Sequence, residues 1–329
     1  MRMPSPSGID RRHFLALLGA AAAAPAWAAF PDKALRMIVP FPPGGAADIM
    51  ARSLALHLGN ALGQQVVIDN RTGASGNIGV EVAATATPDG HTFLLGNSGT
   101  MAINPAVFPK FPIRPVRDLT AVTQVVDVPG VLVTHPSVPV TGVKAFIDYV
   151  KARPGKLNYG SAGAGSPQRL AMEYFMREAG IDMVHIPYKG GAGAAAVAVL
   201  AGEVSAVMTS VSAVLPHVKA NRLRAHGVVA PKRLPVLPET PTMAEAGFPQ
   251  MTAGAWQGVY LPVKTPAPVV KILFEATHKA LNDAEVQRRL ADQGAERVLS
   301  ATPRDFAAFM KAENELYDKL VREIGVITE

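Results

Sequence analysis

The chain has 329 residues, no cysteine and a formal net charge of +6 at pH 7. Nearly half of its residues are apolar (49%), which is enough to build a buried core without disulfides. The absence of cysteine excludes thiol chemistry and cysteine metal sites. Since no run of like charges marks a surface, the composition also argues against nucleic-acid and membrane-surface binding.

The first 28 residues have the organisation of an export signal rather than of a fold element. Arg11 and Arg12 precede an apolar stretch at 15–24 and the small-residue cleavage pattern AWA at 26–28. The paired arginines resemble a twin-arginine signal, but the flanking residues depart from that pattern, so export by the Sec route remains open. The apolar stretch is much shorter than the roughly 20 residues of a membrane span. We expect a periplasmic mature chain.

The mature chain opens with an apolar run at 35–40, the turn FPPGG at 41–45 and a helical pattern from Ala46. A buried strand that ends in a Gly-Gly turn at a helix start leaves several backbone N–H groups free above the strand end. The turn contains no Lys or Arg, so an anion there would be bound by backbone amides. This favours a small carboxylate over a nucleotide. A tight strand-to-helix turn without a ligand is the open alternative.

Strand and helix patterns alternate along the rest of the chain, which predicts a parallel or mostly parallel α/β sheet. The further strands are predicted at 65–70, 92–96, 121–126, 130–134, 157–159, 183–186, 204–208, 223–229 and 255–261. Helices are predicted at 47–62, 78–85, 143–152, 168–179, 194–200, 212–220, 267–281, 284–293 and 303–323.

Two segments have the character of crossings between lobes: 127–129, and the Pro-rich and polar stretch 231–249. The predicted organisation is a signal peptide at 1–28, a first lobe at 29–127, a second lobe at 128–247, and a C-terminal part of the first lobe at 248–329. Two lobes joined in this way form a cleft between them, where ligands of α/β sheets usually bind.

Several predicted strand ends carry loops of small, hydrogen-bonding residues, and these loops occur in both lobes. They lie at 43–48, 97–100, 160–166, 188–191 and 209–212. Together they predict a cleft lined by backbone amides and hydroxyls, which suits the binding of a small polar anion without chemistry.

The sequence offers little for catalysis, metals or cofactors. The segment GAGAAA at 191–196 matches G-x-G-x-x-A, but the acidic residue expected about 20 positions later is missing, so a close-packed helix start explains it better. The histidines of the mature chain lack metal-binding spacing, and we predict no metal and no cofactor. Ser98, Ser161 and Ser166 have no identifiable base and are interpreted as ligand hydrogen-bonding groups.

Motifs spread over the whole mature chain resemble the Bug family, the extracytoplasmic solute receptors of tripartite tricarboxylate transporters. They are VPFPPGG at 39–45 with Asp48, NRTGASGNIG at 70–79, PDG at 88–90, INP at 103–105, PGKLNY at 154–159, PYKG at 187–190, LPETPT at 237–242, EAG at 245–247 and QGA at 293–295.

This resemblance implies a type II periplasmic binding fold, in which two α/β lobes joined by two crossings close over one ligand in the cleft between them. It implies a monomeric receptor that delivers a small organic acid to an integral-membrane permease of one large and one small subunit.

The resemblance also implies that backbone amides and ordered waters hold the ligand's carboxylate. Carried over by position, the first-lobe contacts are Pro43, Gly44, Gly45, Ala46, Asp48, Asn97, Ser98 and Thr100. The second-lobe contacts are Ser161, Ala162, Gly163, Ser166, Tyr188 and Lys189. Asp48 has an equal alternative role, as a helix-start residue that braces the turn.

Two positions depart from the family pattern and bear on specificity. Where members often carry Thr-Ser-His or similar, this chain has Pro-Gln-Arg at 167–169, and Arg169 could bind a second carboxylate bidentately if it faces the cleft. A solvated helix arginine is the alternative. Where many members have Phe-Asp-Asn, this chain has Met-Thr-Ser at 208–210 and so lacks the acid. Both departures favour a dicarboxylic or aromatic acid over a cationic or zwitterionic ligand.

The leading hypothesis is therefore a non-enzymatic receptor for a di-, tri- or aromatic carboxylate. A ligand sensor that docks on a membrane histidine kinase would use the same binding residues and remains an alternative. A secreted hydrolase that uses Ser161 or Ser166 is the least favoured one, because both a base and an acid are missing.

Overall fold

The computed structural model describes residues 30–43, 46–163, 166–188, 191–249, 251, 254–292 and 295–325. The strands are β1 (Leu35–Val39), β2 (Val66–Asn70), β3 (Thr92–Asn97), β4 (Leu119–Val128), β5 (Gly130–Thr134), β6 (Asn158–Ser161), β7 (Val184–Pro187), β8 (Ala206–Ser210), β9 (Arg224–Val229), β10 (Ala255–Pro262) and β11 (Glu296–Arg297). The helices are α1 (Ala46–Leu62), α2 (Asn77–Ala84), α3 (Asn104–Val107), α4 (Pro115–Asp118), α5 (Val143–Lys151), α6 (Pro167–Ala179), α7 (Gly191–Leu200), α8 (Val211–Lys219), α9 (Ala267–Leu281), α10 (Ala284–Asp292) and α11 (Pro303–Ile324).

The strands form two sheets, one in each lobe. The first has the order β11-β4-β10-β3-β1-β2 and the second has the order β7-β6-β8-β5-β9. The expectation of mostly parallel sheets is wrong. In the first sheet β10 is antiparallel to both β3 and β4, and in the second β5 is antiparallel to both β8 and β9. The reason is the connectivity, since strands that cross between lobes enter each sheet against the direction of its βαβ units.

The two crossings are neighbours in space because β4 leaves the first lobe beside the strand that returns to it. Val128 at the end of β4 pairs with Ala255 at the start of β10, and Gly130 already opens β5 in the second sheet. The carboxyl ends of the parallel strands in both sheets therefore face the gap between the lobes. This is the arrangement expected for ligand binding between two α/β units.

Each sheet is covered by helices on both faces. In the first lobe α1, α9 and α10 pack on one face, and α2 and α11 pack on the other. In the second lobe α5 and α6 cover one face, and α7 and α8 cover the other. Within the described ranges, no helix has the length and apolarity needed to cross a membrane.

Helix α11 belongs to the first lobe but also contacts the second. The buried Glu313 accepts a hydrogen bond from Trp256 Nε1 at 2.6 Å, which fixes the middle of α11 on the first sheet. Towards its end, Val321 packs in one apolar cluster with Leu170 of α6. The C-terminal helix thus spans the gap between the lobes.

The loop predicted at 97–100 is only partly correct. Asn97 is the last residue of β3, and Gly99 begins a π-helical segment, Gly99–Ile103, that continues directly into α3. Small polar residues predict a turn from local chemistry, but they do not reveal that the backbone coils at once into a helix. The π-helical geometry is one that frequently marks functional sites.

The buried His226 should give the second lobe a measurable acid sensitivity. It is fully buried beside Phe146, its Nε2 lies 2.8 Å from Thr134 Oγ1, and burial lowers its pKa to about 4. The unfolded chain binds the proton near pH 6.5 and the folded chain does not. The contribution of neutral His226 to stability is therefore fully present above pH 6.5 and is lost as the pH falls towards 4. The loss should be about 3 kcal/mol at pH 4.

Urea unfolding of wild type and His226→Gln between pH 7.5 and 4 measures this contribution. We expect the unfolding free energy of the variant to decline less steeply with falling pH, by about 3 kcal/mol over the range. Parallel pH profiles for the two proteins would contradict the assignment.

Candidate functional site

Part of the predicted site lies beside a contact between the two lobes. A Cβ atom built on Gly99 would lie 3.1 Å from Cδ of Pro167, the first residue of α6. The segment after β3 and the helix start after β6 are therefore in van der Waals contact. Among the predicted residues, this brings Asn97, Ser98 and Thr100 close to Ser166 and Arg169.

The turn between β1 and α1 is braced by side chains. Asp48 is 2% exposed and accepts hydrogen bonds from Asn70 Nδ2 at 3.0 Å and from Arg52 Nε at 2.8 Å. The same Asn70 amide donates to the carbonyl of Phe41 at 3.0 Å. These contacts correspond to the bracing role considered for Asp48. The amide of Asn70 thereby ties the turn to the neighbouring strand.

The remaining predicted residues of this turn are only partly described. Pro43 is exposed and Ala46 is the first residue of α1. Gly44 and Gly45, and Lys189 in the second lobe, lie outside the described residues.

The end of β3 holds a closed polar pair and one unused hydroxyl. Asn97 Oδ1 accepts from the backbone N–H of Thr100 at 3.0 Å, and Thr100 Oγ1 accepts from the N–H of Asn97 at 3.1 Å. Ser98 between them is completely buried, and its Oγ has no hydrogen-bond partner among the described residues. A buried hydroxyl without a partner costs free energy, so this oxygen is suited to a ligand or a water.

The second-lobe loop is held by its own serines. The Gly163 N–H donates to Ser161 Oγ at 3.1 Å, and Ser166 Oγ donates to the Gly163 carbonyl at 2.8 Å. Ser166 also caps α6 by accepting from the Arg169 N–H at 3.2 Å. Ala162 and Gly163 are half-buried, and Gly163 has φ +109°, a conformation suited to glycine. The hydroxyls of Ser161 and Ser166 thus shape the loop.

Ser161 has a partner that the sequence analysis did not identify. Its Oγ lies 2.7 Å from His185 Nε2, and the imidazole stacks on Tyr159. Burial, followed by the charge of Arg169, lowers the pKa of His185, so the ring is neutral at pH 7 and its Nε2 can accept a hydrogen bond from the Ser161 hydroxyl. Tyr159 and His185 are paired on adjacent parallel strands and Ser161 lies two residues further on the same face, so the contact follows from strand pairing rather than from a local sequence signal.

Arg169 and Tyr188 make contacts within the second lobe. Arg169 Nε lies 3.4 Å from Glu173 Oε1 one turn along α6, and the same oxygen accepts from Tyr159 Oη at 2.6 Å. Tyr188 Oη lies 3.3 Å from Glu203, whose carbonyl is bound by Asn158 at the start of β6. The Tyr188 phenol therefore points towards the end of β6 that is remote from the interlobe gap.

Residues of the sequence motifs that were not predicted as site residues support the first-lobe loops. Asn104 Nδ2 donates to Asn77 Oδ1 at 2.7 Å and to the Ser75 carbonyl at 3.0 Å, joining α3 to the start of α2. Gly76 has φ +94°, and a Cβ there would collide with the Thr100 methyl group and approach Pro40. The polar motif residues thus fix the backbone of the loops.

Known proteins resemble this chain in sequence along almost its whole length. The model of the tripartite tricarboxylate transporter family receptor matches residues 50–326. The chain belongs to this receptor family. The protein BugT of Bordetella pertussis is 39% identical over 313 residues, which cover 95% of each chain. The resemblance noted in the sequence is confirmed, and the chain is a member of a family of solute receptors, not of enzymes.

Two solved structures extend the similarity to the fold. The Rhodopseudomonas palustris protein MatC with bound malate is 32% identical, with a TM-score of 0.80, over 89% of this chain and 100% of that one. R. palustris Rpa4515 with adipate is 33% identical, with a TM-score of 0.84, over 90% of this chain and 98% of that one. The two-lobed periplasmic binding fold is therefore confirmed, and family members are periplasmic receptors.

Within this receptor, the two serines at the interlobe contact should respond differently to loss of their hydroxyls. Ser166→Ala removes the cap of α6 and should lower the unfolding free energy by about 1 kcal/mol. Ser98→Ala removes a buried oxygen that lacks a partner among the described residues, so the ligand-free protein should lose no stability. Urea titrations of both ligand-free variants test the contrast. Equal destabilisation would show that Ser98 has a structural partner.

Proposed function

We propose that this chain captures a small dicarboxylate between its lobes in the periplasm and delivers it to a membrane permease of one large and one small subunit. Two relatives of the same fold carry malate and adipate, which are both dicarboxylates. The candidate loops of this chain present backbone amides and hydroxyls, which suit the same class of ligand. An amide-lined site binds carboxylates without a fixed opposite charge.

The observation that carries the proposal is the unused Ser98 hydroxyl beside the contact between the lobes. The described oxygens of Ser161, Ser166 and Thr100 all have partners within the protein, whereas the buried Ser98 Oγ has none among the described residues. A carboxylate oxygen is a strong acceptor for such a hydroxyl, and hydrogen bonds to charged groups contribute about 1.5–3 kcal/mol.

The second-lobe residues favour a dianion over an amino acid. Position 209, near the end of β8, carries a buried threonine where many Bug proteins have an acid, so the second lobe has one negative charge fewer near the gap. Burial keeps His185 neutral and available as an acceptor for Ser161. In this proposal Ser161 fixes the loop by accepting from the Gly163 amide, and the neighbouring backbone of the loop binds the ligand.

Capture would proceed by closure of the lobes. A ligand that contacts residues from both sides binds the closed form more tightly, and this difference in affinity shifts the population towards closure. The permease would bind the closed form of the receptor. In this proposal the chain is exported and its signal peptide is cleaved near Ala28. The mature receptor is a monomer. Its lobes are divided at 127–128 and 247–248.

A thermal-shift panel on the mature protein, refolded to remove bound ligand, tests the function. We expect malate, adipate or a related dicarboxylate at 100 times its Kd to stabilise the protein by about 2.7 kcal/mol, which raises Tm by roughly 2 °C or more. Citrate, aromatic acids, amino acids and sugars complete the panel. A response to sugars or amino acids and none to carboxylates would overturn the proposal.

Matched serine variants then locate the site by calorimetry. Ser98→Ala should weaken binding of the responding acid about 5- to 30-fold, equivalent to about 1–2 kcal/mol. Ser53→Ala is the control, because Ser53 Oγ is also a buried oxygen without a described partner but lies on α1, beside the groove to α10. If both variants bind as the wild type does, the carboxylate lies elsewhere. Recovery of intact acid after incubation separates a receptor from a hydrolase.

A further inference from the structure

One cavity between the described residues lies apart from the described predicted ligand contacts. It has a volume of about 440 Å³ and is lined by α6, α11, the ends of β4 and β8, and the start of β10. None of the described residues predicted to bind the ligand lines it. Pro167, which does line it, is in contact with Gly99, so the cavity lies beside the contact between the lobes.

The wall of the cavity is mainly apolar, with one hydroxyl group that lacks a described partner. Met208, Met251, Val229 and Leu320 contribute aliphatic surface. Thr209 also lines the cavity and is 2% exposed, and its Oγ1 has no hydrogen-bond partner among the described residues. A cavity of this size and character is typical of sites for small organic molecules, in which a few polar groups orient an apolar body.

The charged groups at the cavity offset one another. Glu323 lies 3.3 Å from Arg177 and 3.9 Å from Lys319. Glu178, Lys319 and Glu323 line the cavity, and Arg177, which does not line it, pairs with Glu323, so two carboxylates and two cations lie at or beside its α6–α11 side. With no excess of either sign, the cavity gives an anion or a cation no net attraction, and burial of a charge against the aliphatic wall would be costly.

From these observations we infer that the cavity is a second binding site, for an uncharged amphipathic molecule whose apolar body fills the space and whose polar group hydrogen-bonds to Thr209. The two phenol rings in the wall, Tyr174 and Tyr317, extend the surface available to an aromatic body. The site goes beyond the proposed carboxylate function and differs from it in ligand charge.

A molecule in this cavity would be coupled to lobe closure. Its wall combines Thr209 and Tyr174 of the second lobe with Ala255 and Leu316 of the first-lobe sheet and its C-terminal helix. Any relative movement of the lobes changes the shape of the cavity. Occupancy therefore favours one degree of closure, and the effect on carboxylate affinity is reciprocal.

Three probes with one aromatic body and different charges test the inference on the full mature chain. They are 2-naphthalenemethanol, 2-naphthoate and 2-naphthalenemethanamine, titrated by calorimetry against protein stripped of ligand. We expect the alcohol to bind at least 10-fold more tightly than either charged probe. Thr209→Val keeps the shape and removes the hydroxyl, and should weaken the alcohol about 5- to 10-fold. Thr141→Val, at an exposed threonine outside the cavity, should have no effect.

Filling the cavity gives an independent test. Ala171→Trp should abolish binding of the alcohol, and Leu316→Trp serves if that variant fails to fold, because Leu316 is 53% exposed and tolerant of change. Equal or tighter binding of 2-naphthoate, or undiminished binding of the alcohol to Thr209→Val or to a folded filled variant, would overturn the inference. Malate and adipate are titrated in parallel: a response to these acids without one to the alcohol rejects the second site alone, and the converse rejects the carboxylate function alone.

Discussion

The pairing of β4 with β10 is the constraint on which the rest of the molecule depends. The strand that leaves the first lobe and the strand that returns to it are hydrogen-bonded neighbours, so both connections cross at one place. A Cβ at Gly254 would collide with the carbonyl oxygen of Val128, so the return connection passes too close to β4 for a larger residue. Because both crossings lie side by side, the lobes can rotate about this pair of connections. The carboxyl ends of β1, β3, β6 and β8 then face each other across the gap.

In the candidate site, which follows from this arrangement, side chains hold the loops and the backbone amides are presented to a ligand. The polar side chains of the site largely hold the loops in place. The pairs are Asp48 with Asn70, Thr100 with Asn97, and Ser161 with His185. A loop fixed in this way presents its backbone amides without further ordering, which lowers the entropic cost of binding. This explains how a receptor can recognise carboxylates with few charged side chains. It also explains why the polar residues of the sequence motifs are found in the supports of the loops.

The sequence predicts the elements and the loops better than it predicts their partners. Hydrophobic periodicity places α1, α6 and α11 within a few residues of their ends, and the Gly- and Ser-rich segments mark strand ends in both lobes. It does not predict that β5 and β10 run antiparallel, because strand direction depends on connections between lobes. His185 was missed as the partner of Ser161, and Arg169 turned out to contact Glu173 one turn away. Such pairings depend on which strands become neighbours and on helix rotation, neither of which local composition encodes.

The energetics of closure depend on how firmly α11 holds the second lobe. Trp256 and the Met101 carbonyl fix α11 to the first lobe through Glu313 and Asn314, so opening must separate the end of α11 from α6. The contacts broken include the apolar cluster in which Leu170 packs with Ile103, Val107 and Val321. The Arg177–Glu323 pair is 48% and 40% exposed, and exposed ion pairs contribute only about 0–1 kcal/mol. Burial of an aliphatic side chain such as Val321 contributes at most about 1.5–3 kcal/mol. Reversing a population from 1:99 to 99:1 requires about 5.5 kcal/mol of differential affinity. The protein's own contacts across the gap are therefore of the same order as that figure, so a ligand bound by both lobes shifts the population by adding a comparable free energy.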